Sequence, residues 1–135
     1  MAILRAVTSG VSIYSTYNLH GTKAIPPQNP EDPPTSDWAY AWINGSAYKS
    51  SGNVYSSGQL LMGAGDNTLE WDSYVLNPGE MLLSTPHTAA SGTILTGSAT
   101  VFVNGKPVAR AGDSVLNHAG SNTSFTDHVN TVYIG

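Results

Sequence analysis

A chain of 135 residues, 40% of them hydrophobic, is long enough to bury one modest core, so we expect a single domain spanning residues 1–135. Only 10% of the residues are charged and the formal net charge is −4, which argues against nucleic acid as a partner. The absence of cysteine excludes disulfides and thiolate metal ligands. The first ten residues lack a continuous apolar run, so we expect no signal peptide.

The N-terminal part of the chain favours short strands and loops. Residues 2–14 are rich in β-branched residues and are broken at Ser9-Gly10, which predicts two short strands. His20 follows in a segment that could be a surface loop. Five prolines in residues 25–37 predict an extended surface loop, because proline fixes φ and lacks a donor. We expect residues 25–61 to be an insertion or elaboration.

Aromatic residues then recur at every second position. Trp38, Tyr40 and Trp42 predict a strand with one aromatic face, ending at a turn over Asn44-Gly45. This face either packs against the core or forms a docking surface or sugar platform. Residues 69–76 alternate in the same way around Trp71. No segment has sustained helical periodicity, so the fold class is predicted to be all-β.

The clearest local signal is a hairpin in residues 97–113. Strand-forming residues 100–103 lead into Asn104-Gly105, the pair that favours two positive φ angles in a type I′ turn. The return strand begins at Lys106-Pro107, where proline is expected at a strand start or sheet edge.

These residues also resemble the signature of the PAAR-repeat family. The match runs from Gly97 to Asp113, with Val108 in place of the first alanine of Pro-Ala-Ala-Arg. The flanking residues agree, with His87 before the hairpin and His118 after it, and residues 131–135 resemble the family's closing strand. The family-like part is residues 85–135.

The resemblance implies a small conical PAAR-like fold of short hairpins, here with a long N-terminal loop-rich insertion. It implies a structural, non-enzymatic role as the membrane-piercing tip of a contractile injection machine (phage tail, tailocin or type VI secretion). The implied partner is a trimeric spike, similar to valine-glycine repeat protein G or a phage baseplate hub spike. One chain on three identical chains requires pseudo-threefold faces. The target cell envelope would be touched transiently. We expect assembly in the bacterial cytoplasm and residence at the virion tail or injection-particle baseplate.

Spacing alone does not group the four histidines into a metal motif. The resemblance implies one metal ion, zinc or iron, held by three of them near the apex of the cone. His87 and His118 match family positions best, and His20 and His128 compete for the third place. Imidazole suits both metals. The family arginine, Arg110, is expected to brace neighbouring loops by hydrogen bonds with Asp113.

Two alternatives to the tip remain open. The first is a glycan-binding or receptor-binding β domain that uses Trp38, Tyr40, Trp42 or Trp71 as stacking platforms. The second is a metal-dependent hydrolase that uses the histidines, with a base drawn from Asp113, Asp127 and Glu80.

Overall fold

The computed structural model describes residues 4–49, 52–56, 58–127 and 132–135. These residues form strands, bridges and turns but no helix, so the all-β prediction is confirmed. It follows that no helix in these ranges could cross a membrane. The strands in these ranges are β1 (Leu4–Arg5), β2 (Thr16–Ile25), β3 (Thr35–Lys49), β4 (Tyr55–Ser56), β5 (Gln59–Leu60), β6 (Asn67–Val75), β7 (Met81–Leu82), β8 (Ala90–Ile94), β9 (Phe102–Val103), β10 (Lys106–Pro107), β11 (Ser114–Leu116), β12 (Asn122–Ser124) and β13 (Tyr133–Ile134).

The largest sheet has seven antiparallel strands in the order β12-β11-β8-β6-β3-β2-β7. Its longest members are β2, β3 and β6, which pair along most of their lengths. The proline-rich residues 26–34 form the loop between β2 and β3, as expected from their missing donors. Residues 35–37, which the sequence suggested were loop, are the start of β3.

The turn predicted at Asn44-Gly45 is wrong, because both residues lie inside β3 and pair with β6. A Cβ at position 45 would lie 2.7 Å from Cγ of Glu70 and 2.8 Å from the carbonyl oxygen of Leu69. Gly45 therefore permits close approach of two strands rather than a turn. The turn at Asn104-Gly105 is confirmed, with φ angles of 49° and 78°, and it joins β9 to β10.

A closed ring of backbone hydrogen bonds lies at the centre of the chain. The N–H of Val7 donates to the carbonyl of Ala109 (2.8 Å), and the N–H of Ala109 donates to that of Met62 (2.9 Å). The N–H of Met62 donates back to the carbonyl of Val7 (2.9 Å). Three bridges repeat the same cyclic order, namely Ala6↔Arg110, Thr8↔Leu61 and Gly63↔Val108. The three segments, residues 6–8, 61–63 and 108–110, are therefore related by pseudo-threefold symmetry, and we call them the ring segments.

The structure after the ring repeats as well. Each segment turns at a glycine with positive φ, at Gly10 (93°), Gly65 (95°) and Gly112 (86°). The next residue, Val11, Asp66 or Asp113, accepts through its carbonyl from the N–H of Ala47, Ile94 or Phe125 respectively. The symmetry thus extends from the ring into the core.

The core has two apolar clusters on either side of this ring. Residues before the ring and their hairpin partners form the first cluster, of Ala6, Val103, Val108 and Ile134. Residues of the ring and beyond it form the second, of Val7, Ile13, Ala47, Met62, Ile94, Ala109, Val115 and Phe125. After the turns that follow the ring, β6 and β11 lead to buried polar residues, namely Glu70 and Asp72 in β6 and Asn117 after β11. The second cluster therefore separates the short hairpins from a polar site.

Candidate metal centre and docking face

Three histidines and one carboxylate converge beyond the second apolar cluster. His20, Asp72, His87 and His118 each offer one ligand atom, and these atoms lie within 4.8 Å of one another. We call these four residues the histidine cluster. They come from β2, from β6, from the segment between β7 and β8, and from the residues after β11, so four parts of the chain meet at one point.

Local backbone features aim each side chain at this point. His20 lies at the irregularity in β2 between Leu19 and Gly21, where the register with β3 shifts. The N–H of His87 donates to Oδ2 of Asp72 (2.9 Å), which fixes the segment before β8 against β6. The N–H of His118 donates to Oε1 of Glu70 (2.7 Å), which fixes the end of β11 in the same way.

Two of the distances within the cluster match the spacing of ligands around a small cation. Nε2 of His20 and Nδ1 of His87 lie 3.3 Å apart. Ligands about 2.0–2.1 Å from a tetrahedral zinc ion lie roughly 3.3–3.4 Å from one another. The carboxylate of Asp72 lies 2.6 Å from both Nδ1 of His87 and Nε2 of His118, and 3.4 Å from Nε2 of His20. The two 2.6 Å contacts are hydrogen bonds and are shorter than the separation of two ligands on one ion, so these bonds would open if the four residues held a metal ion.

A second buried carboxylate orients His118. Oε1 of Glu70 lies 2.6 Å from Nδ1 of His118, while Nε2 of the same ring faces Asp72. Glu70 also accepts from the hydroxyl of Thr68. A carboxylate that holds the far nitrogen of a ligand histidine fixes its tautomer and increases its basicity. Glu70 is thus placed to orient His118 rather than to bind the ion.

The charges of the site also favour a cation. The side chains of Asp72 and Glu70 have no solvent exposure. Buried carboxylates are costly unless they are paired with positive charge. Burial alone would raise the pKa of Asp72, but hydrogen bonds from the backbone and ring of His87 and from the ring of His118 outweigh it and lower that pKa. One divalent ion would balance the negative charge of two ionised carboxylates.

The metal-free protein is expected to lose stability on acidification below about pH 6.5. Burial lowers the pKa of His20 from its ordinary value of 6.5. The unfolded chain therefore takes up this proton first, so stability present above pH 6.5 is lost as the pH falls towards the folded pKa. Melting temperatures in EDTA between pH 8 and pH 5 measure this, and His20→Asn should flatten the slope. If the melting temperature of the variant fell with pH as steeply as that of the wild type, protonation of His20 would not be the cause of the loss of stability. Asp72, whose pKa lies below 3.8, should act only at still lower pH.

Other predicted residues have different roles. His128 lies outside the described residues. Arg110 braces the hairpin as expected, with Nε 3.0 Å from Oδ2 of Asp113 and Nη2 3.4 Å from the carbonyl of Gly97. The bases considered for a hydrolase lie elsewhere: Asp113 pairs with Arg110, Glu80 with Lys23 and Asp127 with Arg5.

The other end of the molecule presents three equivalent two-stranded sheets, β4–β5, β9–β10 and β1–β13. We call their surface the hairpin face. In each sheet, a valine carbonyl accepts a hydrogen bond from the N–H of the residue that begins a ring segment. Val54 accepts from Leu61, Val101 from Val108 and Val132 from Ala6. The next residue is an exposed aromatic, Tyr55 (62%), Phe102 (58%) or Tyr133 (54%). The pseudo-threefold symmetry therefore places three aromatic side chains at equivalent positions on this face.

Sequence reasoning expected pseudo-threefold faces but did not locate this repeat, and it missed Asp72. The repeat has a readable signal, because residues 54–66 align without a gap with residues 101–113 and share valine, glycine and the closing Ala-Gly-Asp. Asp72 has no such signal, since one acid in an alternating strand usually faces solvent.

Comparison with protein families finds one match. Residues 85–135 match the family model described as PAAR motif, which confirms the resemblance seen in residues 97–113. The match includes His87, His118 and the hairpin around Asn104-Gly105, but not His20 or Asp72. Searches of curated proteins and of solved structures give no significant match.

Proposed function

We propose that this chain, whose residues 85–135 match the PAAR motif, is the tip of a contractile injection machine, seated on a trimeric spike. PAAR-motif proteins are structural spike tips. The proposed action is mechanical, since sheath contraction drives the spike and the tip concentrates force on the target envelope. The chain would work in an injection particle, at a phage tail or a type VI secretion baseplate, and would act without catalysis.

The pseudo-threefold hairpin face is the observation that carries this proposal. One chain that meets three identical chains must offer three similar contacts, because the symmetry of the partner repeats its own surface. Tyr55, Phe102 and Tyr133 supply such contacts, and aromatic side chains are enriched at protein interfaces. The short edge strands beside them can extend the sheets of a partner by main-chain pairing.

The histidine cluster supports the other half of the proposal, a metal-stabilised apex. It lies across the second apolar cluster from the hairpin face, and its four residues come from four separate parts of the chain. His20, His87, His118 and Asp72 would hold zinc or iron, and Glu70 would orient His118. Such an ion supplies cross-linking of four chain segments, because its binding free energy adds to the free energy of folding.

Docking is tested with the trimeric β-helical spike protein of the same source. We expect the wild-type chain to bind at one copy per trimer, and Tyr55→Ala/Phe102→Ala to bind at least tenfold more weakly. Trp38→Ala, which removes an aromatic ring of similar exposure (62%) from another surface, is the matched control and should bind as the wild type does. Binding and stoichiometry are measured by biolayer interferometry and light scattering.

Failure of the folded wild-type chain to bind the trimer would contradict the proposed function. Equal binding by the double variant and the wild type would instead show that the hairpin face is not the contact. Three copies per trimer would also contradict the proposal, because a pseudo-threefold face is required only of a single copy.

A further inference from the structure

A second aromatic surface lies on the side of the large sheet that faces away from the core. On β3 the side chains alternate, so that Ala39, Ala41 and Ile43 are fully buried while Trp38 (62%), Tyr40 (42%) and Trp42 (43%) are exposed. Neighbouring strands add Tyr17 from β2 and Trp71 from β6. We call these five rings the outer aromatic face. The sequence left this surface open between core packing and docking, and the structure places the rings outside the core.

Three of the five rings contact one another. Tyr17 stacks on Tyr40 with centroids 4.8 Å apart and meets Trp42 edge to face at 4.9 Å. Alternate residues of one strand are about 6.6–6.8 Å apart, so Trp38, Tyr40 and Trp42 form a row. Exposed apolar patches of this extent mark binding sites on soluble proteins.

A cleft next to Trp38 gives this face a polar component. It has a volume of about 260 Å³ and is lined by Thr22, Ser36, Asp37 and Trp38. Oδ1 of Asp37 accepts from the backbone N–H of Trp38 (2.8 Å), which holds this carboxylate against the backbone at the cleft. A concave site with an aromatic wall and a few fixed polar groups is the usual form of a small-ligand site.

From this arrangement we infer that the outer aromatic face binds a neutral saccharide. A sugar presents apolar C–H faces that stack on aromatic rings and hydroxyls that hydrogen-bond to groups such as Thr22, Ser36 and Asp37. Apart from Asp37 at the cleft, the positions of β2, β3 and β6 that share the face of the five rings carry no charged side chain among the described residues. The carboxylate at the cleft would repel phosphate, as would the net charge of −4. A neutral ligand therefore matches the charge of the surface better than an anionic lipid or nucleic acid does.

The position of the face gives this binding a use, which rests on the proposed function. Strand β2 reaches His20 at its middle and continues with β3 and β7 past the histidine cluster. The cleft, at Thr22 and Trp38, therefore lies on the part of the sheet beyond the cluster, away from the hairpin face. A tip with this surface would contact envelope glycans before it pierces.

Saccharide binding is tested without the spike, by titrating the full chain with chitohexaose, cellohexaose and maltohexaose. Tryptophan fluorescence and two-dimensional NMR report binding, and we expect at least one of the three to bind in the micromolar to millimolar range. Trp38→Ala should weaken it at least tenfold. Because Trp38 is exposed, this variant should fold, which its melting temperature checks. Phe102→Ala, an aromatic deletion on the hairpin face, is the matched control and should bind normally.

Absence of binding by all three oligosaccharides would overturn the inference. Equal binding by Trp38→Ala and wild type would also overturn it, as would binding to phosphatidylglycerol vesicles in place of the sugars. The spike assay separates the two proposals, because Trp38→Ala should still bind the trimer. A chain that binds sugar but not the spike would refute only the tip function, and the reverse result would refute only the saccharide site.

Discussion

Asp72→Asn is expected to abolish metal binding and to lower the free energy of unfolding of the metal-loaded protein by about 3–5 kcal/mol. The buried carboxylate of Asp72 contacts His87 and His118 at 2.6 Å, and an amide cannot supply its negative charge. The melting temperature should fall on the order of 10 °C for a chain of this size. Metal content by mass spectrometry and thermal unfolding with and without EDTA measure both effects.

Asp32→Asn is the matched control for this change. Asp32 lies in the exposed loop between β2 and β3 and accepts only a long hydrogen bond, 3.3 Å, from Asn29. It should retain about one metal ion per chain and the wild-type response to EDTA. If Asp72→Asn also retained both, Asp72 would not be a ligand and the ion, if bound, would be held elsewhere.

The histidine cluster shows what sequence reasoning could and could not reach. Family resemblance points to His87 and His118, because both flank a recognisable hairpin. The sequence suggests a loop around His20, whereas this residue lies in β2 at a shift of register that no local residue preference reveals. Its proximity to His87 depends on the order of strands in the large sheet, which is a long-range property. Whether these residues bind a metal stays a prediction.

The two faces of the sheet show why Asp72 was missed. In β6, Glu70 and Asp72 point inwards while Trp71 is 41% exposed, which reverses the usual assignment of polar side chains to solvent. In β3 the small residues Ala39 and Ala41 are inside and the large rings are outside. A period of two reveals alternation but does not say which face is buried. In β6, at the histidine cluster, and in β3, at the outer aromatic face, the buried face is the opposite of the one that hydrophobicity predicts. Such reversals are expected where function overrides burial preference.

The hairpins show the opposite case, in which local chemistry is sufficient. Asn104-Gly105 adopts the two positive φ angles that this pair favours, and Gly58 in the equivalent hairpin has φ 79°. The sequence analysis expected this symmetry only as a requirement of a trimeric partner. Two of the hairpins can be aligned in the sequence, but the third cannot be found in this way, because it is assembled from β1 and β13, at opposite ends of the sequence.

Phe125→Ala is expected to lower the free energy of unfolding by about 3–5 kcal/mol. The side chain of Phe125 is 1% exposed in the second apolar cluster, and its equivalents by pseudo-symmetry are the smaller Ala47 and Ile94. Ala47 and Ile94 cannot fill the space left by the phenyl group, because each is fixed by backbone hydrogen bonds to the turn that follows a ring segment. Urea unfolding, with the slope compared between variants, measures the loss.

The chain's other phenylalanine, Phe102, provides the control. Phe102→Ala removes the same ring from the exposed hairpin face and should change stability by less than about 0.5 kcal/mol. Equal losses for the two variants would contradict the division between a core built on the ring of hydrogen bonds and an exposed face available for docking. A stable Phe102→Ala that binds the spike weakly would instead separate stability from docking, because the aromatic side chain on the hairpin face would then contribute to binding and not to folding.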